Sequence, residues 1–473
     1  MNTKKRLLVI LAVGLILRLG LLFVFWDEGL TIVDETHYQK IAENIQNHHE
    51  FSLKVGRPTA IRPPLYPLFL SAIYFITGGV HLNAIRIAQI LLSLGIILIL
   101  YRLGKILFDE KIGLLASLIF AIYPTFLFFT HLLLTEALFT LLFLLFLFFY
   151  ISFLNSPVKP SEIGSSEIKL NSKKRNRNIL LAGLLLGLGS LTRSNLYPFL
   201  IIALLFIIFA CRGLLIEKIK WAILLVIGFI VVVGPWTVRN YIIFKDLVVI
   251  DTMGGLNMYM GNYEHTPLNR AWGAIDLTGD KTWFYGHEKV LSEMNEAQKQ
   301  KWAMNKAKEF ILDHKWLTLK RDLIKTADFW GLEREVIGPI INGHWPRLNK
   351  TSYLLIITFF IFSTYALVLA CSVFGILYHL RFKNKDVLFC VVLILLFTGM
   401  YAIVFGHSRY HLPLMPLLTI FASWSLMNVK KIWEGRGSWR QKVSIILVII
   451  LIGIWVREIL FIEGERFLKN IHV

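Results

Sequence analysis

The chain has 473 residues, of which 56% are hydrophobic, 14% aromatic and only 17% charged. Several apolar runs approach or exceed the ~20 residues that a membrane-spanning helix needs, which excludes a soluble domain with a single anchor and predicts an all-α polytopic membrane protein. The net charge of +19 (50 basic minus 31 acidic residues) would suggest nucleic-acid binding in a soluble protein, but short basic loops that orient a membrane protein explain it better.

The first half of the chain alternates apolar runs with short polar segments. Residues 7–25 form the first predicted span, and no cleaved signal is predicted because no small-residue cleavage site precedes Trp26. A polar loop follows, and the short, aromatic-rich run within 63–79 predicts a helix at the membrane interface. Further spans are predicted at 82–100, 112–129 and 137–153, followed by a flexible, basic, cytoplasmic linker at 155–178.

The second half begins with two apolar runs, 179–191 and 196–210, separated by Thr192-Arg193-Ser194-Asn195. The first run is short for a span and rich in glycine, which indicates either close helix packing or a broken span. The span at 221–233 is predicted to end at Gly234-Pro235-Trp236. A long polar region then holds a helical part at 288–330, and the last spans are predicted at 353–377, 387–405, 412–427 and 443–459.

About eleven spans result, and they divide the chain into three predicted parts. Residues 1–236 form an N-terminal transmembrane module with a catalytic first outer loop at 26–80, residues 237–350 form an extracytoplasmic loop region, and residues 351–473 form the C-terminal transmembrane helices. With the N-terminus in the cytoplasm, the short segments on the inner side are all basic, as the positive-inside rule requires. The protein is therefore predicted in the cell membrane, with its active site outside the cytoplasm.

The predicted outer face collects ionisable side chains at the ends of spans. Two acids, Asp34 and Glu136, lie there together with several arginines. Guanidinium groups bind phosphate by forked, charge-assisted hydrogen bonds, and a carboxylate can take a proton from an attacking hydroxyl. These residue types predict the transfer of a group from a lipid-phosphate carrier to an acceptor. The arginines are Arg62, Arg193, Arg239 and Arg409.

Each of these residues also has a purely structural interpretation. Arginines at span ends commonly extend to lipid head groups, and an acid such as Glu136 favours a helix N-terminus. Asp34 with Glu35 can cap the helix that is expected after them. A second acidic pair, Asp27-Glu28, competes for the same catalytic role.

The segment His407-Ser408-Arg409-Tyr410-His411 is either a simple polar turn or part of the site. Its histidines have no H-x-x-H or H-x-E spacing, and Cys211, Cys371 and Cys390 have no ligand spacing either. The sequence therefore predicts no metal ligand. A divalent metal is the one candidate cofactor, and no spacing supports it.

Several short motifs occur in an order that resembles a known class of enzymes. They are Asp34-Glu35-x-x-Tyr38, Arg62-Pro63-Pro64-Leu65-Tyr66-Pro67, Thr135-Glu136, Leu191-Thr192-Arg193-Ser194-Asn195, Pro235-Trp236-Thr237-Val238-Arg239-Asn240, Gly254-Gly255-Leu256-Asn257 with Gly261-Asn262, and Arg409-Tyr410-x-x-Pro413. The ordered set covers nearly the whole chain. It resembles the GT-C class of lipid-linked-sugar glycosyltransferases, family 39/83-like, which includes bacterial relatives of the protein O-mannosyltransferases and of the lipid A aminoarabinose transferase.

The resemblance implies a GT-C type transmembrane helix bundle whose extracytoplasmic loops carry short helices. It implies Asp34 as catalytic base or acceptor-orienting acid, Glu136 as a second catalytic acid, and Arg62 on the carrier phosphate. In the aminoarabinose branch, an acid implicated in metal binding precedes that basic residue; Ile61 stands there in this chain, which argues against a metal and against aminoarabinose transfer. The other substrate-binding candidates are Glu35, Tyr38, Tyr66, Arg193, Arg239, Asn257, Asn262, Arg409 and Tyr410.

The predicted reaction is a single inverting displacement. Asp34 deprotonates the acceptor hydroxyl, which attacks the anomeric carbon of a hexose or pentose, and the polyprenyl phosphate leaves with its charge held by the arginines. The predicted partners are a polyprenyl-phosphate-linked sugar, membrane lipid, and an acceptor glycan, lipid or protein, with no nucleic acid. The rival interpretations are a transporter or flippase of a lipid-linked glycan, which would place charges at the bilayer midplane, and a non-catalytic lipid-binding scaffold.

Overall fold

A computed structural model describes residues 2–26, 28–156, 165–348, 350–381, 384–435 and 437–463. Within these ranges the chain is almost entirely helical, and the only strands form a short antiparallel hairpin of β1 (Ser52–Lys54) and β2 (Arg57–Pro58). Seven helices in the described part are long and apolar enough to cross a membrane. The predicted all-α polytopic membrane fold is confirmed, whereas the number of about eleven spans stays a prediction.

The first half of the chain contains ten helices: α1 (Thr3–Val24), α2 (Val33–His48), α3 (Leu65–Thr77), α4 (Leu82–Leu107), α5 (Glu110–Ala121), α6 (Pro124–Phe129), α7 (Glu136–Leu154), α8 (Ser165–Thr192), α9 (Phe199–Ala210) and α10 (Leu215–Phe244). Of these, α1, α4, α7 and α10 have the length and composition of spans. The helix expected at the membrane interface is α3, which is apolar but shorter than a span.

The second half contains ten more: α11 (Met253–Met260), α12 (Glu288–Ser292), α13 (Glu296–Asp313), α14 (Lys315–Phe329), α15 (Ile337–Ile341), α16 (Thr351–His379), α17 (Lys385–Ile403), α18 (Met415–Met427), α19 (Val429–Glu434) and α20 (Trp439–Arg457). Here α16, α17 and α20 are candidate spans, and a π-helix continues α20 to Glu463. Short 3-10 helices occur at Ser194–Leu196, Ala271–Asp276, Gly279–Lys281, Pro346–Leu348 and Ser408–Leu414.

The single span predicted at 112–129 is wrong, because the chain forms two helices there. The helix α5 ends at Ala121, and α6 begins with Pro124. Proline has no backbone N–H and a fixed φ, so it suits the first turn of a helix and cannot continue the preceding one. The break places Tyr123 beside Glu333, whose carboxylate accepts its hydroxyl hydrogen bond (2.7 Å).

The run at 179–191 belongs to one continuous helix, α8, so the alternative of a broken span is wrong. The flexible linker is also wrong over 165–178, which is helical; residues 157–164 of that linker lie outside the described part of the chain. The other alternative, close packing, is confirmed. A Cβ at Gly183 would overlap the carbonyl oxygen of Leu225 on α10, so the two helices touch through their backbones.

The predicted end of a span at Val233 is wrong as well, because α10 passes through Pro235 and continues to Phe244. A proline inside a helix removes one backbone hydrogen bond, but tertiary contacts hold the helix beyond it. Trp236 Nε1 donates to the carbonyl oxygen of Ile250 (2.7 Å), so the following polar loop packs back along this extension.

Helices of the long polar region cover the loop between α2 and α3. The helical part predicted at 288–330 is confirmed as the three helices α12, α13 and α14. Glu296, in the first turn of α13, accepts hydrogen bonds from Thr59 Oγ1 (2.6 Å) and from the backbone N–H of Ala60 (2.8 Å). This carboxylate joins the loop between α2 and α3 to the later polar region, so residues that are distant in sequence lie in contact.

Candidate active site

The candidate site is built around Asp34, which lies in the first turn of α2. Its Oδ1 is 2.6 Å from Nη2 of Arg62, and its Oδ2 is 3.2 Å from Nη1 of Arg409. Arg62 Nη2 also lies 3.1 Å from Nδ1 of His37. Each oxygen of the carboxylate therefore faces a different arginine, one from the loop between α2 and α3 and one from the C-terminal part of the chain.

A second carboxylate, Glu136, holds two arginines of the cluster. It is the first residue of α7 and is fully buried. Its Oε1 lies 2.6 Å from Nη2 of Arg193 and 2.7 Å from Nε of Arg409. Arg409 thus bridges Asp34 and Glu136, and the start of α7 adds the favourable potential of a helix N-terminus to the negative charge of Glu136.

Two carboxylates and three arginines leave the cluster with one net positive charge. Burial alone would raise the pKa of Asp34, but Arg62 and Arg409 more than offset this effect and lower it to about 2. Burial alone would lower the pKa of Arg409, but Glu136 and Asp34 raise it well above its ordinary value. Asp34 and Arg409 are therefore both ionised at neutral pH.

Two N–H groups of these arginines have no hydrogen-bond partner among the described residues. They are Nε of Arg62 and Nη1 of Arg193, and both are buried. A buried donor without an acceptor costs free energy, and an anion that accepts its hydrogen bond removes that cost. The cluster can therefore bind an anionic group in addition to its own two carboxylates.

These side chains line a cavity of about 490 Å³. Its acidic and basic lining comes from Asp34, Asp251, Arg62, Arg193 and Arg409. Much of the remaining lining is apolar or aromatic, which suits a ligand with an anionic group and an apolar body. The apolar lining includes Pro198, Met253, Met400, Ile403, Val404 and Phe405.

The structure brings most of the predicted site residues to this cavity or directly against it. Glu136 lies behind the lining and contacts two of its arginines. The predicted residues in the lining itself are Asp34, Tyr38, Arg62, Arg193, Asn257, Arg409 and Tyr410.

Glu35 and Tyr66 are buried beside the cavity and do not line it. Glu35 accepts the backbone N–H of Leu133 (2.7 Å), so it fixes the loop before α7 to the start of α2. Tyr66 donates to Oε1 of Gln89 (2.8 Å), and its ring packs edge-on against that of Tyr38, with centroids 5.0 Å apart. The substrate-binding roles of Glu35 and Tyr66 stay predictions, and any such role acts through neighbouring residues.

Arg239 and Asn262 do not line the cavity, and both bind backbone groups. Arg239 Nη1 donates to the carbonyl oxygen of Thr59 (2.8 Å). Asn262 is fully buried, donates to the carbonyl oxygen of Ile403 (2.9 Å) and accepts from Nζ of Lys325 (3.0 Å). The structure does not bring these two side chains to the other site residues, so their substrate-binding roles also stay predictions.

Two of the lining residues that were not predicted, Asp251 and Tyr401, carry ionisable side chains. Burial raises the pKa of Asp251, and a hydrogen bond with Ser194 only partly offsets this. Tyr401 accepts from Nδ2 of Asn195 (2.6 Å), and its ring stacks on that of Tyr410 at 4.4 Å. A lone aspartate in a polar loop and a tyrosine in an apolar helix give no local signal, so only the fold reveals them.

The segment with two histidines is part of the support of the site. Nε2 of His407 lies 2.9 Å from Glu335, and Nε2 of His411 lies 3.2 Å from Glu333. Nδ1 of His407 accepts the backbone N–H of Arg409 (3.0 Å). Both histidines therefore anchor the short helix that carries Arg409.

No group of three or more His, Cys, Asp or Glu side chains that could hold a metal ion occurs in the described part of the chain. The carboxylates of the candidate site do not fit a metal ion either. Both oxygens of Asp34 face guanidinium groups, and Glu136 contacts arginines as well. Hard divalent cations need several oxygen ligands, so these residues do not fit a resident metal.

One family model matches part of the sequence. It is described as dolichyl-phosphate-mannose-protein mannosyltransferase and covers residues 61–162, which is less than half of the chain. No curated protein matches this sequence.

Solved structures are similar over nearly the whole chain. The archaeal oligosaccharyltransferase AglB from Archaeoglobus fulgidus, in complex with an inhibitory peptide and a dolichol-phosphate, has a TM-score of 0.52 and 12% identity, covering 95% of this chain and 55% of that chain. The Archaeoglobus fulgidus oligosaccharyltransferase tethered with an acceptor peptide containing the NVT sequon has a TM-score of 0.51 and 13% identity, covering 99% and 58%. ArnT from Cupriavidus metallidurans bound to undecaprenyl phosphate has a TM-score of 0.42 and 15% identity, covering 90% of this chain and 78% of that chain.

The chain therefore has the fold of the GT-C class of membrane glycosyltransferases, which confirms the predicted resemblance at the level of the fold. It spans little more than half the length of the oligosaccharyltransferase chains that it matches. The family match adds a likeness to dolichyl-phosphate-mannose-protein mannosyltransferases for the segment that contains Arg62 and Glu136.

Proposed function

We propose that the chain is an integral-membrane glycosyltransferase that moves a sugar from a polyprenyl-phosphate donor to an acceptor outside the cytoplasm. The observation that carries this proposal is the bridge of Arg409 between Asp34 and Glu136, in a cavity with both charged and apolar lining. The complex of the structurally similar AglB with a dolichol-phosphate supports a lipid phosphate as the carrier.

The donor phosphate binds to Arg62, Arg193 and Arg409. Guanidinium groups form forked hydrogen bonds with phosphate oxygens, and two N–H groups of Arg62 and Arg193 have no other partner in the described part of the chain. The net positive charge of the cluster also favours an anion. The apolar part of the cavity receives the first units of the polyprenyl chain.

Donor binding activates the base. A carboxylate whose pKa is about 2 is a weak base, and the pKa of Asp34 is that low because Arg62 and Arg409 stabilise its charge. The donor phosphate competes for the same guanidinium groups. When it takes hydrogen bonds from them, Asp34 loses part of this stabilisation and its pKa rises towards the ordinary range of an aspartate. Asp34 therefore becomes an effective base only when the donor is in place.

The reaction is a single displacement. Asp34 takes the proton of the acceptor hydroxyl, whose oxygen forms the new bond to the anomeric carbon. The bond from that carbon to the phosphate oxygen breaks, and its electron pair leaves with the polyprenyl phosphate. Arg193 and Arg409 stabilise the charge that develops on the leaving oxygen, and attack from the opposite face inverts the configuration. Glu136 holds both arginines and takes no proton.

The proposal keeps the predicted organisation of the protein. The N-terminus lies in the cytoplasm and the active site lies outside it, as the basic inner loops require. Residues 1–236 carry both acids, residues 237–350 cover the site from outside, and residues 351–473 supply Arg409. The transferred group is a hexose or a pentose, and the acceptor is a glycan, lipid or protein.

Purified protein in liposomes, supplied with radiolabelled polyprenyl-phosphate sugars and envelope extract as the acceptor source, tests this function. We expect label on an acceptor with the wild type and very little with Asp34→Asn. Label that crosses the bilayer while it remains on the carrier would favour the flippase alternative and contradict the proposal.

A further inference from the structure

A second cavity, of about 380 Å³, lies in the long polar region and shares no lining residue with the catalytic cavity. Its floor is formed by four aromatic rings that are buried or half-buried: Tyr259, Tyr263, Trp283 and Phe310. Its rim is exposed and polar, and it includes Glu264, Asp280, Glu309 and Asp313. The cavity is thus an aromatic depression with polar groups around it.

The aromatic floor is held in place without a ligand. Tyr259 packs edge-on against Trp302, with ring centroids 5.5 Å apart. The hydroxyl of Tyr263 donates to the carbonyl oxygen of Lys281 (2.8 Å), and Arg321 Nη1 donates to the carbonyl oxygen of Tyr263 (2.8 Å). These rings are already ordered in the folded protein, so a ligand that binds here does not have to fix them. The entropy cost of binding is therefore smaller.

The polar groups of this cavity include both donors and acceptors. Carboxylates only accept hydrogen bonds, whereas hydroxyl and imidazole groups such as those of Tyr285 and His287 donate and accept. Lys306 lies 2.7 Å from Glu309 and offsets part of the negative charge. A cationic side chain would use the acceptors alone. A sugar uses the whole set, because its C–H groups pack on aromatic faces while its hydroxyls donate and accept.

The helix α11 connects the two cavities. Met253 and Asn257 line the catalytic cavity, and Tyr259 lines the second one. Met253 and Tyr259 are separated by about 9 Å along the helix axis, at 1.5 Å per residue. The linings of the two cavities therefore approach each other to within about 9 Å along this helix.

We propose that the second cavity binds a sugar unit of the acceptor that does not itself react at Asp34. This inference rests on the proposed function and makes it more specific, because it names a glycan as the acceptor. The acceptor chain then contacts the protein at two points, the reacting hydroxyl at Asp34 and a further sugar on the aromatic floor.

Saturation-transfer difference NMR on the full chain in detergent tests the inference without requiring any transfer reaction. The probes are methyl glycosides of hexoses, N-acetylhexosamines and pentoses, with their disaccharides. We expect signal on the ring protons of at least one probe, and affinity roughly two- to tenfold weaker in Trp283→Ala and in Tyr285→Ala. Tyr285 is 59% exposed, so Tyr285→Ala leaves the fold intact; Trp316→Ala, at an exposed ring outside both cavities, is the matched control.

Undecaprenyl phosphate distinguishes the two cavities, because under the proposed function it occupies the catalytic one. We expect the saccharide signal to persist in its presence. Three results would overturn the inference. One is loss of the saccharide signal when undecaprenyl phosphate is added, and another is an unchanged saccharide signal in both Trp283→Ala and Tyr285→Ala. The third is that an N-acetyl-lysine amide binds and no saccharide does. A protein that transfers sugar but gives no saccharide signal refutes this site alone, whereas saccharide binding without any transfer refutes the proposed function, and with it the acceptor role of a cavity that still binds sugar.

Discussion

Nη1 of Arg409 lies 3.2 Å from Oδ2 of Asp34, although 375 positions separate the two residues in the sequence. The same guanidinium group donates through Nε to Glu136 (2.7 Å). One side chain near the C-terminal end therefore completes a site whose two acids come from the first third of the chain. The site exists only when both ends of the chain are folded together, and its geometry depends on the short helix Ser408–Leu414.

Asp34→Asn removes the proposed base but keeps the size of the side chain. We expect turnover to fall about 10²–10⁴-fold, while the protein remains folded in detergent. Glu35→Gln is the matched control, because Glu35 holds the backbone of Leu133 and does not line the cavity. It should lower Tm more than it lowers turnover per folded molecule. Activity that survives in Asp34→Asn and disappears in Asp27→Asn would assign the base to the other acidic pair; Asp27 lies outside the described residues.

Glu136→Gln tests the buried ion pairs. Removing one partner of a buried charge pair leaves the other charge uncompensated, which costs about 3–5 kcal/mol. Here Arg193 loses its counter-ion, and Arg409 keeps only Asp34. We expect a large fall in the free energy of unfolding, measured by denaturant titration in detergent. Glu110→Gln is the comparison, since Glu110 is also the first residue of a helix but pairs with Lys105 at the surface, where such pairs contribute little. Equal effects in the two variants would contradict the structural role of Glu136.

Many of the helices and two of the acids of the site, Asp34 and Glu136, could be predicted from the sequence because their signals are local. Asp34 and Arg62 lie close together in the sequence, after the first apolar run, and Glu136 and Arg409 lie at the ends of later apolar runs. The sequence does not predict which arginine forms an ion pair with which acid. The bridge by Arg409 depends on how α2, α7 and the short helix Ser408–Leu414 pack, and no local pattern encodes that packing.

The wrong predictions also have a tertiary cause. Pro235 by itself predicts the end of a helix. The loop that follows α10, however, accepts a hydrogen bond from Trp236 and stabilises the helical turns after Pro235. The glycine-rich run at 179–191 reads as a possible break, yet Gly183 marks the place where α8 touches the backbone of α10. Asp251 lies in a loop, and because the sequence does not predict the path of that loop, it does not predict that Asp251 lines the cavity.

Arg62→Lys tests the recognition of the donor phosphate. Lysine keeps the charge but loses the planar fork of N–H donors, so it cannot bind Asp34 and a phosphate at the same time as arginine does. We expect affinity for undecaprenyl phosphate, measured by microscale thermophoresis, to fall roughly tenfold. Arg239→Lys should leave that affinity unchanged, because Arg239 bonds to the backbone of Thr59 outside the cavity lining. A loss of affinity in Arg239→Lys alone would restore Arg239 to the binding site.

The pH dependence of the reaction follows from the low pKa of Asp34. In the free protein, Arg62 and Arg409 lower this pKa to about 2, so Asp34 places no acid limb on kcat/KM above about pH 3. In the donor complex, the phosphate draws the arginines away and the pKa rises. We therefore expect the acid limb of kcat to lie at higher pH than that of kcat/KM. Coincident acid limbs would contradict activation of the base by the donor.

The same low pKa links folding to pH. The pKa of Asp34 is lower in the folded protein than the value of about 3.9 in an unfolded chain, so its ion pairs stabilise the fold fully above about pH 4, and this contribution is lost as the pH falls towards 2. Wild-type protein should lose more Tm between pH 5 and 3 than Asp34→Asn, which has no carboxylate to protonate. Parallel losses in the two proteins would show that Asp34 does not contribute.

Gly406→Ala tests the position of the segment that carries Arg409. A Cβ at residue 406 would overlap the carbonyl oxygen of Lys325 on α14, so one of the two backbones has to move. The helix Ser408–Leu414 begins two residues later, and its displacement moves Arg409 away from Asp34. Because a misplacement of about 1 Å can cost about 10²-fold in rate, we expect Gly406→Ala to lower turnover as well as Tm.

Gly399→Ala separates this local effect from a general response to alanine in the same part of the chain. Apart from its two chain neighbours and the nearby backbone of its own helix, α17, no atom of the described structure lies within 4 Å of a Cβ at residue 399, and alanine is the better helix former. This variant should keep wild-type turnover and Tm. If Gly406→Ala lowers Tm but leaves kcat/KM unchanged, the contact with Lys325 is structural only. Loss of both, with normal expression of Gly399→Ala, ties the backbone contact at Gly406 to the placement of Arg409 against Asp34 and Glu136.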